Sequence, residues 1–314
     1  MPGVLGTQYE LALWADGRWI RGAITGVGAA LRHLAVGGVK LTPGFDDRDP
    51  APFYCGKVLA PWPNRVRDGQ WTHNGRTLQL DVTDPEFGTA LHGLLCATEY
   101  QPIARSASSI TLSAPVVPHS GYPFELETTV CYQLTAFGLL TTQSIRNVGS
   151  DSAPVALGAH PFLSVGDAAT ESLTLVVKGG RHFDVDDRLI PVRTTAVEGT
   201  KWDLRAGRVI ADLDLDDSWS VVDGQGGGSI HTLRAPDGRA VSLWADENMG
   251  FVHVFITRKF PSADGFVTAV ALEPMTAPAN ALNNGVGIRW LQPGETFSAS
   301  WAIRYDDSVR HSQS

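Results

Sequence analysis

The sequence predicts an all-β protein, a large antiparallel β-sandwich, and three observations carry that reading. Apolar and polar residues alternate with period two along many short runs, while helical spacing is nearly absent. The 33 glycines and 19 prolines fall mainly between those runs, where the chain must turn. Two late runs, "GFVHVFITR" (250–258) and "GFVTAVALEP" (265–274), are apolar on both faces, which suits central strands covered on both sides.

In "FELETTVCYQL" (124–134), Leu126, Thr128, Val130, Tyr132 and Leu134 fall on one face and the more polar residues on the other, the pattern of a half-buried strand. "TAFG" then supplies a turn, and "LLTTQSIRN" (139–147) reads as the returning strand of a hairpin. "LTLVVKGG" (173–180) and "FSASWAIRY" (297–305) alternate in the same way, with Phe297, Ala299, Trp301, Ile303 and Tyr305 sharing a face. "DGQGGGS" (223–229) reads as a loose loop and "SVRHSQS" (308–314) as a frayed tail. No repeat, low-complexity tract or linker interrupts the chain, so one domain spanning 1–314 is expected.

Bulk composition narrows the function. Hydrophobic residues make up 43% and charged residues 18%, enough for a core and unlike a disordered chain. A net charge of −8 argues against nucleic acid as a partner. No stretch has the apolar length to cross a bilayer as a helix, and the opening "MPGVLGTQYELALWADG" has no secretory pattern. Cys55, Cys96 and Cys131 are an odd set without CxxC spacing, so reduced thiols and a cytoplasmic location are expected. The 9 histidines form no HxH or HExxH motif, so no metal site is expected.

Four stretches place ionisable groups where a plain strand or turn has no need of them. "APWPNRVRDGQW" holds Asn64 and Arg65 after two prolines; "ALHGLLC" sets His92 before Gly93; "PVALGAHPFLSVG" ends an apolar run on His160. In "ALEPMTAPANALNNG" (271–285), Glu273 stands at the tip of the apolar run "VTAVAL". A carboxylate there is costly unless something pairs with it or uses it. Val267, Ala269 and Ala271 share its side of the strand, and the small alanines leave room beside it. Each histidine alone reads more readily as a packed core residue than as a catalyst. Three of the four nevertheless repeat one pattern: an apolar run, an ionisable residue, then Gly or Pro. Such residues sit at strand ends, where loops and sites gather, and a converging histidine and carboxylate make a general acid–base pair.

These stretches resemble those of the aldose 1-epimerases, the galactose mutarotase family. The similarity runs through "PNRVRDGQWTHNGRTLQL", "LHG", "GYPFELETTVCYQLT", "HPF", "LDDSW", "LEPMTAPANALN" and "LQPGET", in the family's order, over roughly residues 20–305. The resemblance implies a galactose mutarotase-like supersandwich that interconverts the α and β anomers of an aldohexose such as glucose or galactose, without a cofactor, as a monomer or homodimer. It implies Glu273 as the base at the C1 hydroxyl and His160 as the acid at the ring oxygen. It also assigns Arg65, His92 and Asp216 to the sugar hydroxyls. Asp216 is preferred over Asp217 because Trp219 then takes the aromatic position three residues on; Asn64 either braces Arg65 or touches the sugar. Trp62 or Trp219 is a candidate for stacking on a pyranose face, against the alternative that both are core. Glu273 is expected to be ready as a base at neutral pH, and a site holding both Glu273 and an Asp is expected to bias His160 toward its charged form. The pair is expected to face each other across a pocket the width of a hexose. Two rival readings remain open: a carbohydrate-binding domain without catalysis, and a mutarotase of a phosphorylated or sulfonated hexose, for which Arg67 and Lys57 are the nearest cations.

Overall fold

The structure is a computed structural model and describes residues 3–46, 50–221 and 227–306. Most of the loop expected at 223–229 and all of the expected tail at 308–314 therefore lie outside the described residues. Within them the strands are laced antiparallel into one 9-stranded sheet, one 8-stranded sheet, a 4-stranded sheet near the N-terminus and three small pairs.

The expected hairpin is present. Leu126–Thr135 pairs with Gly138–Asn147, closing at Thr135 opposite Gly138, and the predicted face of the first strand is the buried one. Thr296–Asp306 lies beside it in the 9-stranded sheet, with Ala299, Trp301, Ile303 and Tyr305 buried. "LTLVVKGG" departs from expectation: its strand stops at Val176, and Gly179 opens the next strand. A Cβ at Gly179 would stand 2.5 Å from the Cβ of Trp219, so only glycine lets the two strands approach there.

The two apolar runs form the centre of the 8-stranded sheet as Phe251–Ser262 and Gly265–Met275. Their two faces do different work. Val252, Val254, Ile256, Val270 and Leu272 join Tyr132, Ile145, Trp301 and Ile303 of the 9-stranded sheet in one core. Burying each such side chain is worth about 1.5–3 kcal/mol, so this face anchors the sheet. The opposite face carries His253, Phe255 and Glu273. There Ala269 and Ala271 do not leave open space as expected; they pack with Cys55, Phe162 and Phe260 in a second cluster, flanked by Phe255. Large rings fill the room left by small residues, which fixes the floor beside Glu273.

Candidate active site

The site is built where short strands end on the outer face of the 8-stranded sheet. Glu273 lies two residues before the end of Gly265–Met275, opposite His253 in register. His160 lies between Gly158–Ala159 and Phe162–Leu163, both edging the same strand. Arg65 opens Arg65–Arg67, which pairs with Thr89–Leu91, and His92 follows that partner directly. Asp216 opens Asp216–Val221, next to the His253 strand.

All six sequence-predicted residues line one cleft of about 130 Å³: Asn64, Arg65, His92, His160, Asp216 and Glu273. Size does not select it. A larger hollow of about 890 Å³ lies beyond Phe260 and Pro261, but both of its lining carboxylates, Glu10 and Asp46, are exposed.

Glu273 is 1% exposed, and its Oε1 lies 3.2 Å from His160 Nε2. The pair is thus in direct contact, side by side, rather than separated by the width of a sugar ring. Its Oε2 is buried and has no hydrogen-bond partner among the described residues. Burial pushes the Glu273 carboxyl up to about 7 against the pull of His253, so it is not the ordinary carboxylate expected from sequence. His160 also departs from expectation. Burial, together with the charge of His253, drives it down to about 3, and the influence of Asp216 does not reverse this. The bias toward the charged form that Glu273 and an Asp were expected to give His160 goes to His253 instead. Burial opposes the charge of His253, but Glu273 and Asp216 outweigh it and raise its pKa.

Asp216 and Asp217 diverge because neighbours on a strand face opposite ways. Asp216 Oδ1 takes His253 Nε2 at 2.9 Å, and its Oδ2 stands 3.6 Å from Arg65 Nη2. Burial works against its charge, yet His253 and Arg65 hold its carboxyl down at about 2. Asp217 bonds His182 Nε2 at 2.6 Å, outside the cleft lining.

Arg65 donates from Nε to Asp84 Oδ2 at 3.1 Å and lies over the Phe87 ring at 4.9 Å. Asn64 braces it: Asn64 Oδ1 accepts the Arg65 backbone N–H at 2.8 Å. From the far end of the Glu273 stretch, Asn280 donates its N–H to the Arg65 carbonyl and accepts from the Arg67 N–H at 3.1 Å. Asn64 and His92 are locked together as well. The Asn64 N–H donates to His92 Nδ1 at 3.2 Å, so neutral His92 carries its proton on Nε2 and presents a donor. Burial lowers the His92 pKa well below its usual value and keeps it in that form. The ligand atoms of His92, His160 and Glu273 lie within 4.8 Å of one another. A metal on His92 Nε2 would need the proton moved to Nδ1, against the Asn64 N–H, so these residues do not fit a metal centre.

Four non-glycine lining residues have left-handed backbone: Phe53 (φ 47°), Tyr54 (φ 56°), Asn64 (φ 57°) and His92 (φ 63°). Such conformations persist only where the surroundings over-determine them, and they gather at sites. Gly93 fixes the last: a Cβ there would lie 2.1 Å from the Ala60 carbonyl oxygen.

Trp62 and Trp219 do not stack on a ligand. Trp62 packs against Tyr122 in the core, and Trp219 is fully buried, its Nε1–H bonded to the Trp202 carbonyl. The apolar walls are Phe53, Tyr54, Leu91 and Phe255, which, with His253 and Asp84, the sequence reading missed. Of the cations named for an anionic sugar, Arg67 pairs with Asp186, and Lys57 stands behind a wall of the cleft, its Nζ 5.6 Å from the Tyr54 ring centre.

No helix of the described residues is long and apolar enough to cross a membrane. Among known proteins, the chain is similar to YihR of Escherichia coli K12, an uncharacterised protein, with 29% identity over 274 residues, 87% of this chain and 86% of that protein. Its fold is similar to that of the GalM/aldose epimerase homologue from C. elegans (TM-score 0.81, 17% identity, 96% of this chain and 99% of that one). A galactose 1-epimerase from Lactobacillus acidophilus is also similar in fold (TM-score 0.74, 15% identity, 96% and 98% covered). The family model described as aldose 1-epimerase matches residues 13–304, and the chain belongs to the aldose 1-epimerase family.

Proposed function

We propose that this protein interconverts the α and β anomers of an aldohexose by general acid–base opening and closing of the ring. The observation that carries the reading is the buried Glu273–His160 contact, 3.2 Å long, at the floor of a cleft ringed by hydroxyl-binding groups. A domain that only bound sugar would keep Arg65 and the aromatic walls but would have no use for an expensive buried carboxylate.

The hemiacetal explains why contact suits the chemistry. O1 and O5 are bonded to the same carbon, so the acid and the base must be close neighbours. Ionised Glu273 takes the proton from O1, His160 gives its proton to O5, the C1–O5 bond breaks and O1 becomes the carbonyl oxygen. Rotation about C1–C2 presents the other face, and the same transfers run backwards. One proton travels the circuit and returns. Between about 3 for His160 and about 7 for Glu273, the couple holds one proton. The short contact lets that proton reach His160 and leaves Glu273 free as base.

The rate should therefore fall as pH rises through about 7, when the couple loses its single proton. A rate that keeps climbing through that range would contradict the shared-proton scheme. Arg65→Ala should raise KM by roughly ten- to a hundredfold, the worth of a charge-assisted hydrogen bond, and His92→Ala by roughly tenfold or less, with kcat little changed. Loss of turnover at unchanged KM would argue against binding roles.

The proposal is tested by NMR saturation exchange between anomers across glucose, galactose, xylose, rhamnose and hexose 6-phosphates. Exchange above the buffer rate for a neutral hexose supports it; acceleration confined to the 6-phosphates would transfer it to a modified hexose, and acceleration of none would refute it.

A further inference from the structure

Besides His160 and His92, the cleft holds a third imidazole, His253, that the acid–base scheme does not use. Ser218, His253 and Glu273 are register partners on three adjacent strands and form one row across the sheet. All three side chains are buried. His253 Nε2 faces two carboxylates, Asp216 Oδ1 at 2.9 Å and Glu273 Oε1 at 3.9 Å. A carboxylate only accepts, so Nε2 carries a proton. On the other side, Nδ1 lies 2.7 Å from Ser218 Oγ, a hydroxyl that can turn to accept a second N–H. Glu273 Oε1 thus sits between two imidazoles, His160 at 3.2 Å and His253 at 3.9 Å, and only His253 has a second carboxylate on its ring nitrogen.

We propose that His253 is a positioning residue that carries the resting positive charge of the site, loosens the hold of Glu273 on its proton and keeps Asp216 aimed at Arg65. This deepens the anomer-exchange reading and rests on it for its catalytic consequence. The charged and titratable groups facing the row are Asp216 from the neighbouring strand, Arg65 with its partner Asp84, His160 and His92, with Tyr54 on the lining and Lys57 beyond it. Among these, Arg65 is already shared between two carboxylates. His160 is held neutral by burial and by the charge of His253 itself. That leaves His253 as the cation placed to act on Glu273. Without it, a carboxylate shielded from water has less reason to ionise.

The test is His253→Gln, which can still donate to Asp216 but cannot carry charge. The Glu273 carboxyl is titrated by carbon-13 NMR in the wild type and the variant, a readout that needs no activity. Its midpoint should rise by about one pH unit, a tenfold tighter hold on the proton, and the pH limb of kcat/KM should move up with it. An unmoved Glu273 midpoint would overturn the proposal, whatever happens to the rate. If the wild type accelerates no sugar, the anomer-exchange reading fails while the carboxyl titration still decides this one. If the variant does not fold, nitrogen-15 shifts of the wild-type histidines decide instead. His253 as imidazolium and His160 neutral at neutral pH supports the assignment, and the reverse contradicts it.

Discussion

Glu273→Gln is expected to slow anomer exchange by roughly 10²–10⁴-fold while making the fold more stable at neutral pH. The two effects have one origin. Glu273 is 1% exposed, at the bottom of a cleft walled on one side by Phe53 and Phe255, and its ionised form is poorly solvated there. Its pKa rises from 4.5 to about 7 on folding, so the native state holds the proton more tightly than the unfolded chain. Its contribution to stability is intact below about 4.5 and lost as pH climbs through about 7. Glutamine keeps the shape and an oxygen for His160 but cannot ionise, so the variant should gain ~1–3 kcal/mol above that range and little below it. Urea unfolding across pH measures the gain, and NMR exchange measures the loss. A variant that keeps its rate would remove Glu273 from the chemistry; one destabilised equally at every pH would reject the burial argument.

His160→Asn should cost a similar roughly 10²–10⁴-fold in turnover, for the complementary reason. Its ring is held by Phe162, stacked at 5.3 Å, and meets the edge of His92 at the same separation, so Nε2 is aimed at Glu273 rather than free to swing. Asparagine can still donate a hydrogen bond but cannot release a proton to a ring oxygen. KM should stay near wild type, because Arg65, His92 and Asp216 remain. Exchange rates on folded protein, checked by circular dichroism, decide it. A near-normal rate would leave Glu273 without its partner and break the circuit.

What the sequence revealed, and what it hid, follows from how far each signal reaches. Strand alternation is local, so the Leu126–Thr135 hairpin and the buried face of Thr296–Asp306 were legible. Glu273 was legible because a charge at the end of an apolar run is costly wherever the run lies. His253 was not, since Val and Phe on either side make it look like core. Its place opposite Glu273 depends on a bulge between Thr257 and Phe260; the register at the Ser262–Gly265 turn, continued unbroken, would set His253 against Pro274. A one-residue slip of this kind turns a side chain to the other face. The charge states were hidden for a related reason. Sequence puts Asp216 in the site but cannot say that its oxygen falls 2.9 Å from His253, leaving His160 without that support. The aromatic walls were missed because Phe53 and Tyr54 reach the cleft through left-handed backbone that nothing in "APFYCGK" announces.

The central claim is that Glu273 and His160 act on the two oxygens of one anomeric carbon. A crystal structure of the Glu273→Gln variant with an aldohexose bound tests it most directly. The account predicts O1 against the side chain at position 273 and O5 within hydrogen-bond reach of His160 Nε2, with the remaining hydroxyls on Arg65, His92 and Asp216. A sugar seated with its anomeric carbon turned toward Phe53 and Phe255, away from both groups, would contradict it.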